Sequence, residues 1–92
     1  MARFRVKAEG PRYVRSFGAI FEHGQEVTGI RVQDQVSKVV DGSTHMRLPV
    51  IIIEHAGDGQ QYDQEPGLTY WALDPLDEEA RVMWVRCWLL AC

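Results

Sequence analysis

The sequence lacks long apolar runs. Among its 92 residues the longest apolar stretches, residues 48–53 and 87–92, are far shorter than the ~20 residues that a membrane-spanning helix needs. No apolar segment follows the basic N-terminus, so we expect no secretory signal. These absences predict a cytoplasmic protein without a membrane partner.

Cysteine is scarce as well, and the two cysteines are Cys87 and Cys92. Five residues apart, their Cα atoms would be separated by ~16 Å in a strand and by a rise of ~7.5 Å in a helix. A disulfide needs a Cα separation of ~4.4–6.8 Å. We therefore predict two free thiols, as in a reducing compartment, while a bond from Cys92 to another chain stays open.

The motifs of metal, phosphate and dinucleotide sites are missing too. The chain has no HExxH or CxxC spacing, no P-loop and no dinucleotide fingerprint, and its three histidines are His23, His45 and His55. We therefore predict no enzyme, no cofactor and no metal site. One alternative stays open, a small nuclease or toxin that pairs two of the histidines with Arg47.

What is present indicates one small α+β domain, residues 1–92. Hydrophobic residues make up 46% and charged residues 25% of the chain, as in ordinary globular domains. A chain of this length can bury one core but not two. We expect a mainly antiparallel sheet of about five strands, a short helix near 34–41, and either a helix or a hairpin strand over 76–91.

Strand patterns dominate the first half. Residues 2–8 and 26–32 predict strands, and residues 12–22 predict another strand with a bulge at Gly18. Antiparallel pairing of these sequential pieces would form a meander. The stretch 46–54 contains three consecutive isoleucines and predicts a central strand that is buried on both faces.

Two segments carry helix signals. Asp34 is a candidate N-cap for the helix near 34–41, and Asp74 with Pro75 is a candidate start for the second helix. Residues 68–73 would form a short strand before it. If the C-terminal segment is helical, one side faces the sheet and three apolar residues remain for burial elsewhere or for a homodimer interface, namely Val82, Val85 and Leu89.

Charge is distributed unevenly. The net charge is −3, but residues 1–47 have eight basic against five acidic residues and residues 48–92 have two against eight. Such asymmetry is typical of proteins with a nucleic-acid or charged-protein partner. The acidic stretch 56–67 is typical of a solvated loop; the alternative is that it docks on a basic partner surface through Asp58, Asp63 and Glu65.

The basic N-terminal stretch is RFRVKAEGPRYVR. Alternate side chains of a strand project from one face at intervals of ~6.6 Å, close to twice the ~3.4 Å rise per nucleotide. Aromatic side chains beside them could stack on bases. The candidate nucleic-acid-binding residues are Arg3, Arg5, Lys7, Arg12, Tyr13 and Arg15. The alternative is an exposed edge strand whose cations prevent aggregation.

With this basic strand pair, its small size, its acidic net charge and no enzyme motif, the chain resembles the small phage-encoded anti-CRISPR inhibitors. The resemblance implies a stoichiometric inhibitor in the cytoplasm of a host bacterium, which sterically blocks the RNA or DNA path of a nucleoprotein surveillance complex. Such inhibitors are often acidic DNA mimics, and the basic first half departs from that pattern. An oligomeric structural subunit, for instance of a virion, is the remaining alternative.

Overall fold

The computed structural model describes residues 1–10, 12–38, 45–56, 62 and 64–92. Short strands make up most of this part of the chain, and the longest element is a C-terminal helix. The elements are β1 (Ala2–Val6), β2 (Tyr13–Ser16), β3 (Ala19–Glu22), β4 (Glu26–Gln33), β5 (Val36–Lys38), β6 (His45–Arg47), β7 (Val50–Ala56), β8 (Gly67–Thr69), a 3₁₀ turn (Tyr70–Ala72), β9 (Leu73–Pro75) and α1 (Glu78–Ala91).

Five strands form one antiparallel sheet in the order β8-β7-β4-β1-β9. Two separate two-stranded ladders, β2–β3 and β5–β6, complete the β structure of the described residues. The predicted class, a single small α+β domain with a mainly antiparallel five-stranded sheet, is confirmed.

The core lies between the sheet and α1. It takes alternate residues from β1 and β4, two of the three isoleucines of β7, and one face of the helix. Its members include Phe4, Val6, Val27, Ile51, Ile53, Leu73, Ala80 and Cys87. A Cβ atom on Gly29 of β4 would lie 2.7 Å from Cε2 of Phe4 and 2.8 Å from Cγ2 of Ile51. The absence of a side chain at Gly29 therefore lets the strands pack closely.

The N-terminal pieces do not form the predicted meander. Residues 12–22 form a hairpin, β2 and β3, whose turn is Phe17–Gly18. The pairing partners of β1 are β4 and β9, so β1 and β2 are not the strand pair that was expected. The reason is that Gly18 has a positive φ of 81° and supports a tight turn instead of a bulge.

The helix predicted near 34–41 is wrong over its described part, because Val36–Lys38 is strand β5. This strand pairs antiparallel with β6. The carboxylate of Asp34 lies 3.5 Å from Nη1 of Arg47 and so serves an ion pair. Because valine is β-branched and fits a strand better than a helix, the ladder is favoured here. Residues 39–41 lie outside the described residues.

The isoleucine-rich strand is confirmed as β7, which lies between β4 and β8 and is buried from Val50 to Ile53. The open choice for residues 76–91 is resolved in favour of a helix. Its N-cap is Asp77 and not Asp74, since Asp74 and Pro75 belong to β9. The expected strand 68–73 is interrupted by the 3₁₀ turn.

Candidate nucleic-acid interface

The outer face of β1 and its extension carries three cations, as the alternation predicted. Arg3, Arg5 and Lys7 are exposed, whereas Phe4 and Val6 between them are buried. The backbone on either side of β1 belongs to β4 and β9. The surroundings of these three cations are therefore set by the side chains of those neighbouring strands.

Arg3 is held by two carboxylates of the chain itself. Its Nη1 lies 3.3 Å from Oε1 of Glu26 on β4, and its Nε lies 3.4 Å from Oδ2 of Asp77. Its backbone N–H also donates to Oδ2 of Asp77 at 3.1 Å. The other oxygen of Asp77 accepts from the N–H of Ala80 at 2.8 Å. Arg3 thus ties the sheet to the first turn of α1.

The next two cations of this face also have partners within the chain. Nη1 of Arg5 donates to the carbonyl oxygen of Gly24 at 3.0 Å. Nζ of Lys7 lies 3.5 Å from Oδ1 of Asp74. A phosphate bound on this face would have to compete with these contacts, so the face has less free positive charge than its sequence indicates.

The β2–β3 hairpin presents a different surface. Tyr13 and Arg15 project outward from β2, and Arg12 is exposed immediately before them. Among the ion pairs of the described residues, none includes Arg12 or Arg15. Across the ladder, Arg15 is opposite Ile20 and Tyr13 is opposite Glu22. Within the described residues, neither guanidinium group has a carboxylate partner.

The tip of this hairpin exposes an aromatic ring. Phe17 and Gly18 have φ angles of 47° and 81°, the left-handed pair that a two-residue type I′ turn requires. A bulky residue rarely adopts a positive φ, because its Cβ is crowded there. Phe17 is nevertheless 71% exposed. The turn thus places an apolar ring in solvent at a conformational cost.

The hairpin is fixed on the body of the protein by its inner face. Phe21 is fully buried, with its ring centroid 5.1 Å from that of Tyr62. Oγ of Ser16 donates to the carbonyl oxygen of Gly67 at 2.9 Å. Val14 is half-buried against the core. The outward side chains are consequently held on an anchored ladder.

Of the predicted acidic docking residues, one is described. Oε2 of Glu65 lies 3.2 Å from Nη2 of Arg31, and both side chains are about half exposed. Glu65 is therefore engaged within the chain. Asp58 and Asp63 lie outside the described residues.

The three histidines lie on three different elements. Nδ1 of His23, in the turn before β4, accepts from the N–H of Ala8 at 3.1 Å. His45 is exposed on β6, and Nδ1 of the half-buried His55 on β7 lies 3.9 Å from Oε2 of Glu54. Across the described residues, no group of three or more His, Cys, Asp or Glu side chains is placed to hold a metal ion.

The thiols are separate, as predicted. Cys87 is buried and Cys92 is exposed, and both are free. Burial raises the pKa of Cys87 to about 11, and the charge of Arg86 acts weakly in the opposite direction. The outer face of α1 exposes Val82, Val85 and Leu89, the three residues that the helical alternative assigned to another surface.

One feature of the surface was not predicted. A cleft of about 420 Å³ lies between the end of β1, β2 and the 3₁₀ turn, and Trp71 is 53% exposed at its edge. The strand pattern predicts one continuous strand over residues 68–73, which contains Trp71. Because a 3₁₀ turn breaks the two-residue alternation, the direction of this side chain could not be read from the strand pattern.

Comparisons with family models, with curated proteins and with solved structures found no match. Within the described ranges, the only long helix is too short to cross a membrane.

Proposed function

We propose that the chain is a non-catalytic binding protein that contacts the backbone of RNA or DNA through the β2–β3 hairpin. The observation that carries the proposal is the pair Arg12 and Arg15, both exposed, Arg15 on the anchored ladder and Arg12 immediately before it. Neither has a carboxylate partner among the ion pairs of the described residues. Tyr13 and Phe17 lie beside them. We call these four residues the basic hairpin surface.

Cations next to exposed aromatic rings suit single-stranded nucleic acid. The guanidinium groups of Arg12 and Arg15 bind phosphates, and the rings of Tyr13 and Phe17 offer faces on which bases stack, independently of sequence. Arg3 and Lys7 contribute less, because their charges are compensated by Glu26, Asp77 and Asp74. The hairpin, not β1, is the centre of the proposed interface.

The proposed mechanism is steric. An anchored hairpin that occupies the phosphate path of a nucleoprotein complex excludes the strand that normally lies there, and no covalent step is needed. This is the mode of action implied by the resemblance to anti-CRISPR inhibitors, with a surveillance complex as the partner. The acidic net charge of −3 keeps affinity for free nucleic acid low, which favours a composite target of protein and nucleic acid.

The test compares two charge-matched double variants. Arg12→Ser with Arg15→Ser removes the two unpaired cations, and Arg31→Ser with Arg47→Ser removes two cations that are paired with Glu65 and Asp34. Fluorescence anisotropy with labelled single-stranded RNA and DNA measures binding. Loss of two phosphate contacts should weaken binding about tenfold or more near 0.1 M salt, and the control should stay within about twofold.

Equal weakening in both double variants would assign the effect to net charge and would contradict the proposal. Absence of any binding by the wild-type chain, to free strands and to nucleoprotein captured from a host lysate, would also contradict it. Nuclease treatment of the lysate before capture separates contact with nucleic acid from contact with protein alone. Capture that survives nuclease would assign the interaction to protein and would count against the hairpin contact.

A second candidate function is an oligomeric structural subunit. The observation that favours it is the apolar ridge Val82, Val85 and Leu89, which is exposed along α1 on the side away from the core. Exposed apolar patches commonly mark interfaces. Sedimentation equilibrium of the wild type and of Val82→Ser with Leu89→Ser tests this candidate: a dimer that the double variant dissociates would support it, and a monomeric wild type would exclude it.

A further inference from the structure

The cleft beside Trp71 adds a second kind of contact to the proposed interface. Three segments form its walls. Lys7, Ala8 and Glu9 follow β1, Val14 comes from the inner face of β2, and Thr69, Trp71 and Ala72 come from the end of β8 and the 3₁₀ turn. With a volume of about 420 Å³ it lies at the lower end of the range of small-ligand pockets.

Trp71 is exposed but firmly supported from behind. Its ring centroid lies 5.3 Å from that of Tyr70, at an interplanar angle of 69°. Tyr70 in turn packs edge-on against Trp84 of α1 at 5.2 Å. Nε1 of Trp84 donates to the carbonyl oxygens of Tyr70 at 2.8 Å and Leu73 at 3.1 Å. The helix therefore fixes the turn that presents Trp71.

The opposite wall is fixed as well. The backbone N–H of Lys7 donates to the carbonyl oxygen of Ala72 at 2.8 Å, and that of Ala8 donates to Nδ1 of His23 at 3.1 Å. Apart from these backbone contacts, the lining includes three residues with polar side chains, Lys7, Glu9 and Thr69. Nζ of Lys7 also lies 3.5 Å from Oδ1 of Asp74. Donors and acceptors thus lie next to an aromatic ring.

We propose that this cleft binds an unpaired nucleobase stacked on Trp71, an inference that rests on the proposed function. The ligand class is then single-stranded nucleic acid and not duplex. A tryptophan ring presented beside polar groups matches a flat heterocycle with hydrogen-bonding edges. Within a duplex the faces of the bases are covered by their neighbours, so only an unstacked base can enter.

The position of the cleft agrees with this occupant. Val14 lines it from β2, and the residues on either side of Val14 are Tyr13 and Arg15 of the basic hairpin surface. Since Val14 points inward and its neighbours point outward, a strand whose base enters the cleft would turn its phosphates around β2 toward Arg15. Base and backbone contacts would then belong to one ligand.

The experiment uses anisotropy with three labelled probes, a short oligothymidylate, an abasic strand of equal length and a duplex. Trp71→Ala should weaken binding of oligothymidylate by about 5- to 150-fold, the equivalent of one stacked base, and should leave binding of the abasic strand unchanged. Trp71→Phe, which keeps a stacking face, should restore much of the affinity. The matched control is Trp88→Ala, which removes an equally exposed tryptophan from α1.

Four results would overturn the inference. These are unchanged affinity in Trp71→Ala, equal affinity for the abasic and base-bearing strands, tighter binding of the duplex, or quenching of Trp71 fluorescence by a proline-rich peptide but not by oligothymidylate. If Arg12→Ser with Arg15→Ser weakens binding while Trp71→Ala does not, the proposed function stands and only this inference fails. If the wild type binds none of the probes, this inference fails, and the proposed function fails with it only if the chain also captures no nucleoprotein from the host lysate.

Discussion

At the scale of single residues, Asp77 connects two elements, β1 and α1. One oxygen caps α1 through the N–H of Ala80, and the other accepts from the N–H of Arg3 and faces its guanidinium. The capping bond from Ala80 is the main cause that lowers the pKa of Asp77; partial burial opposes it, and the contacts with Arg3 add to the lowering. The carboxylate therefore stabilises the folded state in its charged form.

We expect Asp77→Ala to lower the free energy of unfolding by about 1 kcal/mol, the usual cost of losing an N-cap. Asp77→Asn should retain the capping hydrogen bond but removes the carboxylate that titrates. Because the folded pKa is depressed, the stabilisation by Asp77 is complete above the unfolded pKa of about 3.9 and is lost as the pH falls through the folded pKa.

Urea unfolding at neutral pH and near pH 3 measures these effects. The difference between wild type and Asp77→Asn should shrink at the lower pH. The control is Asp74→Asn, which removes the exposed carboxylate beside Lys7 and should cost less than about 0.5 kcal/mol. A constant difference between wild type and Asp77→Asn across this pH range would contradict the assignment.

The two cysteines predict a clear difference in reactivity. The thiolate is the reactive form, and the buried Cys87, with its pKa raised to about 11, is almost entirely protonated at pH 8. We expect a thiol reagent at pH 8 to label one thiol per folded chain quickly, that of Cys92, and to label Cys87 only after unfolding. Cys92→Ser should abolish the fast phase; persistence of that phase would mean that Cys87 is accessible.

At the scale of elements, the β2–β3 turn combines strain with exposure. Phe17→Asn would create Asn-Gly, the pair that type I′ turns prefer, and should stabilise the fold by about 1 kcal/mol because asparagine tolerates a positive φ. The same change removes the ring from the basic hairpin surface and should weaken binding of single strands. Thermal unfolding and anisotropy measure the two effects.

The control for the turn is Phe17→Leu, which keeps the branched bulk at a positive φ but removes the stacking face. It should bind as weakly as Phe17→Asn without gaining stability. If Phe17→Asn binds as tightly as the wild type, the exposed ring has no part in the interface.

Local sequence patterns predict where the strands lie along the chain better than they predict which strands pair with each other. The alternation in β1 and the apolar run of β7 are sufficient to predict these two strands. Burial of one face of a strand produces alternating apolar residues, and burial of both faces produces a continuous apolar run. The pairing of β1 with β4 and β9 was not readable, since it depends on contacts distant along the chain. The N-cap was placed three residues early because Asp74 and Asp77 carry the same local signal, and the β9 ladder decides between them.

At the scale of the whole molecule, folding mixes the two oppositely charged halves. Arg3, Lys7 and Arg31 of the basic half lie against carboxylates of the acidic half, on Asp77, Asp74 and Glu65. The candidate cations could be listed from sequence, but which of them remain unpaired could not, because the acids lie 34 to 74 positions away. The excess of positive charge in the first half of the sequence therefore remains unpaired mainly on the β2–β3 hairpin.

The salt dependence of binding measures how many cations remain free. Each phosphate neutralised on a single strand contributes about −0.7 to the slope of log K against log salt, so five N-terminal cations would give about −3.5. With Arg12 and Arg15 as the available pair, we expect a slope of about −1.4 for oligothymidylate, and a nearly flat response after Arg12→Ser with Arg15→Ser. A wild-type slope of about −3.5 would instead mean that Arg3, Arg5 and Lys7 all leave their partners within the chain on binding. In that case Arg3→Gln, which leaves the hairpin intact, would reduce the magnitude of the slope by about 0.7, half the reduction caused by Arg12→Ser with Arg15→Ser.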